Sequence, residues 1–196
     1  MNKKRNTGFI IGGFLVVLGI YLVATFNSLV NKDEKVKLQW NEVQNAYQRR
    51  LNLIPNLVNV VKGQADFEQT TLLKITEARS KAASIVITGN EVTADMYNRQ
   101  SAAHDELALA TNNLLIRIEK YPTLKGTSAF AGLQTQLEGT EHRIKIARKD
   151  FNLAVAVYNN SVRGFPTKLV AGIFGFRTKE GFQADMGSDK SIEIKF

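Results

Sequence analysis

From Lys35 onward the apolar positions Val36, Trp40, Val43, Tyr47, Ile54, Leu57 and Val61 recur at spacings near three and four. On a 3.6-residue turn these gather into one stripe, which predicts a helix with a single buried face. Pro55 interrupts the run without shifting its register, and two boundaries are open. A new helix could begin at Asn52 as N-cap with the proline in its first turn. Alternatively the break falls at Gly63, after Lys62 and ahead of the capping pair Asp66 and Gln69. A further helix carries Leu72, Ile75, Arg79, Ala82 and Val86 and ends at Gly89-Asn90; the next, from Glu91 to Tyr121, carries Leu107, Ala110, Leu114 and Ile118 and is closed by Pro122. After a loop from Leu124 to Ser128, the last long helix runs to about Val162 with Phe130, Leu133, Leu137, Ile144, Ala147, Phe151, Ala154 and Tyr158 on one face, and Pro166 lies beyond its end. Long helices joined by short turns pack most simply as antiparallel neighbours, so the pattern predicts an all-α antiparallel four-helix bundle.

Ahead of this periodic region the pattern changes. No charge falls between Arg5 and Lys32, and Gly8 to Phe26 is apolar without a period, about the length needed to cross a hydrocarbon core of roughly 30 Å as a helix. We read it as a single transmembrane helix. A cleaved signal peptide is the competing reading; the run is long for one, and no small-x-small cleavage site stands out. The expected divisions are a basic tail (1–7), a membrane helix (8–26), a helical bundle (27–165), and a C-terminal part (166–196) with an apolar segment and an extended tail. Leu169 to Phe176 is too short to span a bilayer and is expected to pack on the bundle or on a membrane surface. Ser191 to Phe196 alternates Ile192, Ile194 and Phe196 with polar residues, as an extended segment or a frayed end would. Gly8 and Gly12 form a GxxxG spacing, which leaves a homo-oligomer open. Lys3, Lys4 and Arg5 on one flank balance Lys32, Lys35 and Lys37 on the other; the short tail slightly favours the bundle lying outside the cytoplasm.

Composition removes several chemistries. The 196 residues contain no cysteine and two histidines, which excludes disulfide scaffolds, thiolate metal sites, cysteine nucleophiles and relays of several histidines. The net charge of +8 falls to +5 beyond residue 31, where 23 bases face 18 acids. That suits anionic headgroups beside the membrane helix. No basic helix face is interleaved with aromatics, so no nucleic-acid partner is expected. A di-iron site needs Glu-x-x-His on facing helices, but Ser101 precedes His104 and Gly139 precedes His142 by three. His142 with Glu138 lacks a third ligand. No serine or threonine is placed with a base and an orienting acid, and no glycine-rich phosphate loop is present. No catalytic residue, metal or cofactor is therefore expected.

The informative polar residues are Arg50 and Arg79, which the helical spacing puts on or beside the apolar stripe. Buried arginines need partners, and Glu68, Glu119 and Glu141 are the candidates for an ion-pair network that fixes helix register; a groove for a partner's acidic group is the functional alternative. Tyr121, Phe174 and Phe176 are expected at the bundle ends, as packing or as anchors for a partner.

Several linked motifs go beyond periodicity. Phe26-Asn27-Ser28-Leu29-Val30, Trp40, and Arg49-Arg50-Leu51-Asn52-Leu53-Ile54-Pro55-Asn56-Leu57-Val58 form a first block, followed by Glu68 and Ala78-Arg79. A second comprises Glu119-Lys120-Tyr121-Pro122-Thr123-Leu124-Lys125, Phe130, Leu133-Gln134, Thr140-Glu141 and Ala147-Arg148. A third runs from Tyr158-Asn159-Asn160 through Phe165-Pro166 to Phe174-Gly175-Phe176. From Phe26 to Phe176 the chain resembles the LemA family of bacterial membrane-anchored helical proteins. It departs at Asn52, where the family often has aspartate, and at Phe151, where it often has tyrosine. The resemblance implies an antiparallel four-helix bundle on one membrane helix, with no established enzymatic activity. It also implies a partner-dependent role in the cell envelope, some relatives being associated with membrane metalloproteases. The expectation is a single-pass protein of the bacterial cytoplasmic membrane acting as a scaffold or adaptor. An envelope hydrolase or metal-dependent enzyme, and a lipid-binding or membrane-shaping protein, are the alternatives.

Overall fold

In a computed structural model, residues 3–63, 68–85, 87 and 93–182 are described, with side chains from Ile11 onward. The described residues are almost wholly helical and contain no strand. The order is α1 (Lys3–Lys62), α2 (Gln69–Ser84), α3 (Ala94–Ile118), α4 (Pro122–Lys125), α5 (Ser128–Arg163) and α6 (Thr167–Phe174). The Gly89-Asn90 break, the Asp66 capping position and the Ser191–Phe196 tail lie outside the described residues.

Of the two boundaries open near the end of α1, the helix runs on through Asn52 and Pro55 and stops at Gly63. Pro122 opens α4 instead of closing the preceding helix, because a proline at the first helical position forfeits no intrahelical hydrogen bond. The segment read as a loop after Leu124 is in part this short helix: the N–H groups of Leu124 and Lys125 both donate to the Tyr121 carbonyl. α3 is capped by Thr93, whose hydroxyl accepts from the Met96 N–H at 3.4 Å. α6 ends at Gly175, whose φ of 76° is the left-handed conformation that glycine takes without a Cβ penalty.

The chain divides into two compact units. One comprises Met1–Trp40 with Phe151–Lys179, the other Asn41–Asp150 with Glu180–Phe196. Within the second unit one hydrophobic core draws on four long helices and α4: Leu57 and Val61 from α1, Ile75 from α2, Leu107, Leu114 and Ile118 from α3, Leu124 from α4, and Phe130 and Leu137 from α5. Chain directions follow from the paired residues. Glu68 meets Arg117 while Lys81 meets Glu106, so α2 and α3 are antiparallel; Tyr47 meets Arg148 while Arg50 meets Glu141, so α1 and α5 are antiparallel.

Within the first unit α1 and α5 are also antiparallel. Trp40 packs on Phe151 with ring centroids 5.5 Å apart, and Lys32 Nζ donates to Ser161 Oγ at 2.7 Å. The chain after α6 is tied to α5 by the Asn159 side chain, which donates to the Lys179 carbonyl at 2.7 Å and accepts from the Lys179 N–H at 2.8 Å. Lys179 in turn reaches Asp33 at 2.8 Å. Burial opposes the charged form of Asp33, but hydrogen bonds from Lys179 and Lys37 outweigh it and hold the carboxyl below its usual range. Among the described residues one helix is long and apolar enough to cross a membrane: α1, whose apolar window near the N-terminus is almost entirely unburied.

Candidate functional site

The stripe that builds the core of the second unit contains polar residues at core positions. On α1 the buried series runs Val43, Tyr47, Arg50, Ile54, Leu57 and Val61; on α3 it runs Gln100, His104, Leu107, Thr111, Leu114 and Ile118. Both step by three and four, so the turns that bury leucines also bury an arginine and a histidine. Arg50 is only 2% exposed. One arm of its guanidinium donates to the His104 carbonyl at 2.6 Å, and the other pairs with the half-exposed carboxylate of Glu141 on α5. The His104 ring lies flat on Tyr47, with centroids 3.8 Å apart and an interplanar angle of 8°.

Around this stack each charge has a counterpart. Arg148 of α5 donates to the Tyr47 hydroxyl at 2.9 Å and to Asp105 at 2.9 Å, while Ser101 donates to the other Asp105 oxygen at 3.2 Å. Gln44 and Gln100 exchange amide hydrogen bonds at 2.8 and 3.1 Å. Burial, with the nearby cations of Arg50 and Arg148 added, pushes His104 down to about 3. The ring is thus neutral at physiological pH and a weak base there. Burial also raises the Tyr47 hydroxyl above its ordinary value. Among the described residues, the buried nitrogens Arg50 Nε and His104 Nδ1 meet no hydrogen-bond partner. The Glu141 and Asp105 carboxylates are thus engaged by arginines from other helices while the buried histidine is kept neutral, an arrangement suited to fixing helix register.

Arg79 follows a different logic from the one expected of it. Instead of a carboxylate, its Nε donates to the backbone carbonyl of Leu51 at 2.9 Å. Leu51 lies four residues before Pro55, so its carbonyl is the one that an N–H at position 55 would have satisfied. Arg79 supplies the donor that the proline removes, which lets α1 pass through Pro55 without leaving a buried acceptor unpaired. Glu68 pairs with Arg117 on α3, and Glu119 lies 3.6 Å from Lys125. Of the three carboxylates proposed for the arginines, only Glu141 joins Arg50. Tyr121 packs against the core cluster as the residue preceding α4. His142 and Glu138 are exposed on α5, and Glu138 accepts from Gln134 at 3.0 Å. Among the described residues, no group of three or more His, Asp or Glu side chains gathers as metal ligands would.

In the first unit Phe174 and Phe176 both meet Phe26 of α1, with centroids 4.8 and 5.7 Å apart. Sequence reasoning missed His104 and Arg148. The signal for His104 was present, since Gln100, His104, Leu107 and Thr111 continue the spacing of Leu114 and Ile118. Arg148 sits one position off the Ala147 stripe, where length and reach bring its head to Tyr47.

Comparison with known proteins places these features in a wider set. The LemA family profile matches residues 39–196. Magnetosome protein MamQ 2 of Paramagnetospirillum magneticum is 24% identical over 188 residues, covering 87% of this chain and 69% of that protein. Magnetosome protein MamQ of Magnetospirillum gryphiswaldense is 24% identical over 195 residues, covering 91% and 72%. Protein LemA of Metamycoplasma hominis is 25% identical over 166 residues, covering 83% and 72%.

Proposed function

The chain belongs to the LemA family, and from that footing we propose that it is a membrane-anchored, non-enzymatic scaffold or adaptor of the bacterial cell envelope. In this reading the first part of α1 crosses the cytoplasmic membrane once, and α1, α2, α3 and α5 close as an antiparallel four-helix bundle held outside the cytoplasm. The observation that carries it is the contrast within α1: an apolar window with almost nothing buried, followed by a stripe buried in a packed core. The Arg50, His104 and Arg148 network supports a non-catalytic core, because its charges are spent on one another and on helix register.

The mechanism is positional. Confinement to the bilayer raises the effective concentration of the bundle for neighbouring membrane proteins, so modest docking surfaces suffice. The partner class is an integral membrane protein, membrane metalloproteases included. Proximity labelling tests this, with a biotin-transfer domain fused to the full chain and to a chain whose membrane span is broken by Val17→Arg. The reading predicts a defined set of membrane neighbours that is lost with the anchor although the helical content is retained. Identical neighbour sets with and without the anchor would remove the positional mechanism.

A further inference from the structure

In the unit formed by Met1–Trp40 and Phe151–Lys179, α6 is placed beside a particular level of α1. Phe26, the last residue of the uncharged apolar run, is the residue that Phe174 and Phe176 meet. The end of α5 is fixed by the Lys32 to Ser161 hydrogen bond at 2.7 Å. Six residues of helix separate Phe26 from Lys32, roughly 9 Å along the axis. The turn from α5 into α6 therefore occupies the interval between Phe26, where the apolar run of α1 ends, and Lys32, the first cation after that run, a depth comparable to the boundary between acyl chains and headgroups.

The side chains of α6 are sorted for such a place. Val170 and Ala171 are buried within the unit. Leu169 and Ile173, one turn apart, are 61% and 73% exposed, and Phe165 just ahead of the helix is 85% exposed; Phe174 continues this surface. Large apolar groups clustered on so short a segment are costly to leave in water. Between positions 163 and 177 the charged residues are Arg163, Lys168 and Arg177, all cations and all exposed, with no acid among them. An apolar face flanked by cations beside the end of a membrane-length apolar run fits anionic lipid.

We propose that α6 is a second membrane contact, its Phe165, Leu169, Ile173 and Phe174 surface inserting into the interfacial layer of the leaflet from which α1 emerges, with Arg163, Lys168 and Arg177 set against anionic headgroups. The proposal rests on the reading of α1 as membrane-spanning. It gives this unit two points of attachment, so that its orientation about the α1 axis is held by lipid.

The cysteine-free chain allows a direct test. Leu169→Cys, Ile173→Cys, Val17→Cys and Leu153→Cys are made separately in the full chain and labelled with an environment-sensitive fluorophore. Each is reconstituted in phosphatidylcholine vesicles, with and without phosphatidylglycerol, that carry a lipid spin label near the headgroup end of the acyl chain. Quenching at Leu169 and Ile173 should exceed that at the exposed Leu153 of α5 several-fold. It should weaken in anionic vesicles when Lys168→Glu and Arg177→Glu are added. Quenching at Val17 with Leu169 and Ile173 no higher than Leu153 would overturn the α6 contact and leave the spanning reading standing. Absence of quenching at Val17 as well would remove both. In native membranes, thiol cross-linking of Ile173→Cys to one protein in place of lipid quenching would overturn the lipid assignment in favour of a protein partner.

Discussion

Two stretches of α1 carry the same kinds of side chain under opposite rules. Near the N-terminus Phe14, Leu15, Val16, Val17, Ile20 and Val23 are exposed around the helix, whereas Val43, Tyr47, Ile54, Leu57 and Val61 are buried along one stripe. The first is uncharged and apolar on every face, whereas the second places its apolar residues on one stripe among polar ones. An apolar helix without a polar face has no orientation that hides it in a small protein, and its natural solvent is hydrocarbon. A helix with a three-and-four stripe is satisfied by partner helices, and its polar face stays in water.

The same truncation should have unequal consequences in the two stretches. Leu57→Ala removes a side chain with no exposed surface and should cost about 2–5 kcal/mol in denaturant unfolding of the solubilised protein. Next in size is Arg79→Leu, which leaves the Leu51 carbonyl without a donor and should cost about 1–3 kcal/mol. A double-mutant cycle sharpens that claim. In a Pro55→Ala background the restored N–H supplies the missing bond, so the cost of Arg79→Leu should shrink; an unchanged cost would show that Arg79 acts in some other way.

A separate effect concerns pH. His104 sits near 3 when folded against 6.5 in the open chain, so between these values the unfolded state binds the additional proton. Its contribution is fully present above about pH 6.5 and is lost as the pH falls toward 3, with a limiting slope of about 1.4 kcal/mol per pH unit. Asp105, Arg50 and Arg148 face the same ring, so the comparison is made against His104→Phe, whose stability should lack this component. Parallel pH profiles for the two proteins would contradict it. Smallest of all, Leu15→Ala in vesicles should change unfolding of the second unit by less than about 0.5 kcal/mol.

Much of this arrangement could be read from the chain. The four long helices, the apolar run and the position of Arg50 on a buried stripe all follow from spacing, because burial on a helix is periodic. Arg50 reaching Glu141 was among the pairings that spacing allows. The helix boundary at Gly63 was not decidable locally, since the continuity of α1 through Pro55 depends on a donor from α2 that only tertiary structure brings near. For the same reason Arg79 was assigned to a carboxylate: a carbonyl orphaned by a proline is invisible until the neighbouring helix is placed. The stacking of His104 on Tyr47 likewise joins residues more than fifty positions apart. The surface of α6 was legible as an apolar segment, and its level beside Phe26 was not.

In the proposed function, the first stretch of α1 holds the protein in a bilayer. Alkaline carbonate extraction of membranes from cells producing the full chain tests it most directly, with Val17→Arg and Leu18→Arg together as the comparison. Each central arginine opposes insertion by about 2.5–3.5 kcal/mol. The account predicts that the unaltered protein stays in the membrane pellet, while the double variant is released with its helical circular dichroism intact. Recovery of the unaltered protein in the soluble extract would contradict it.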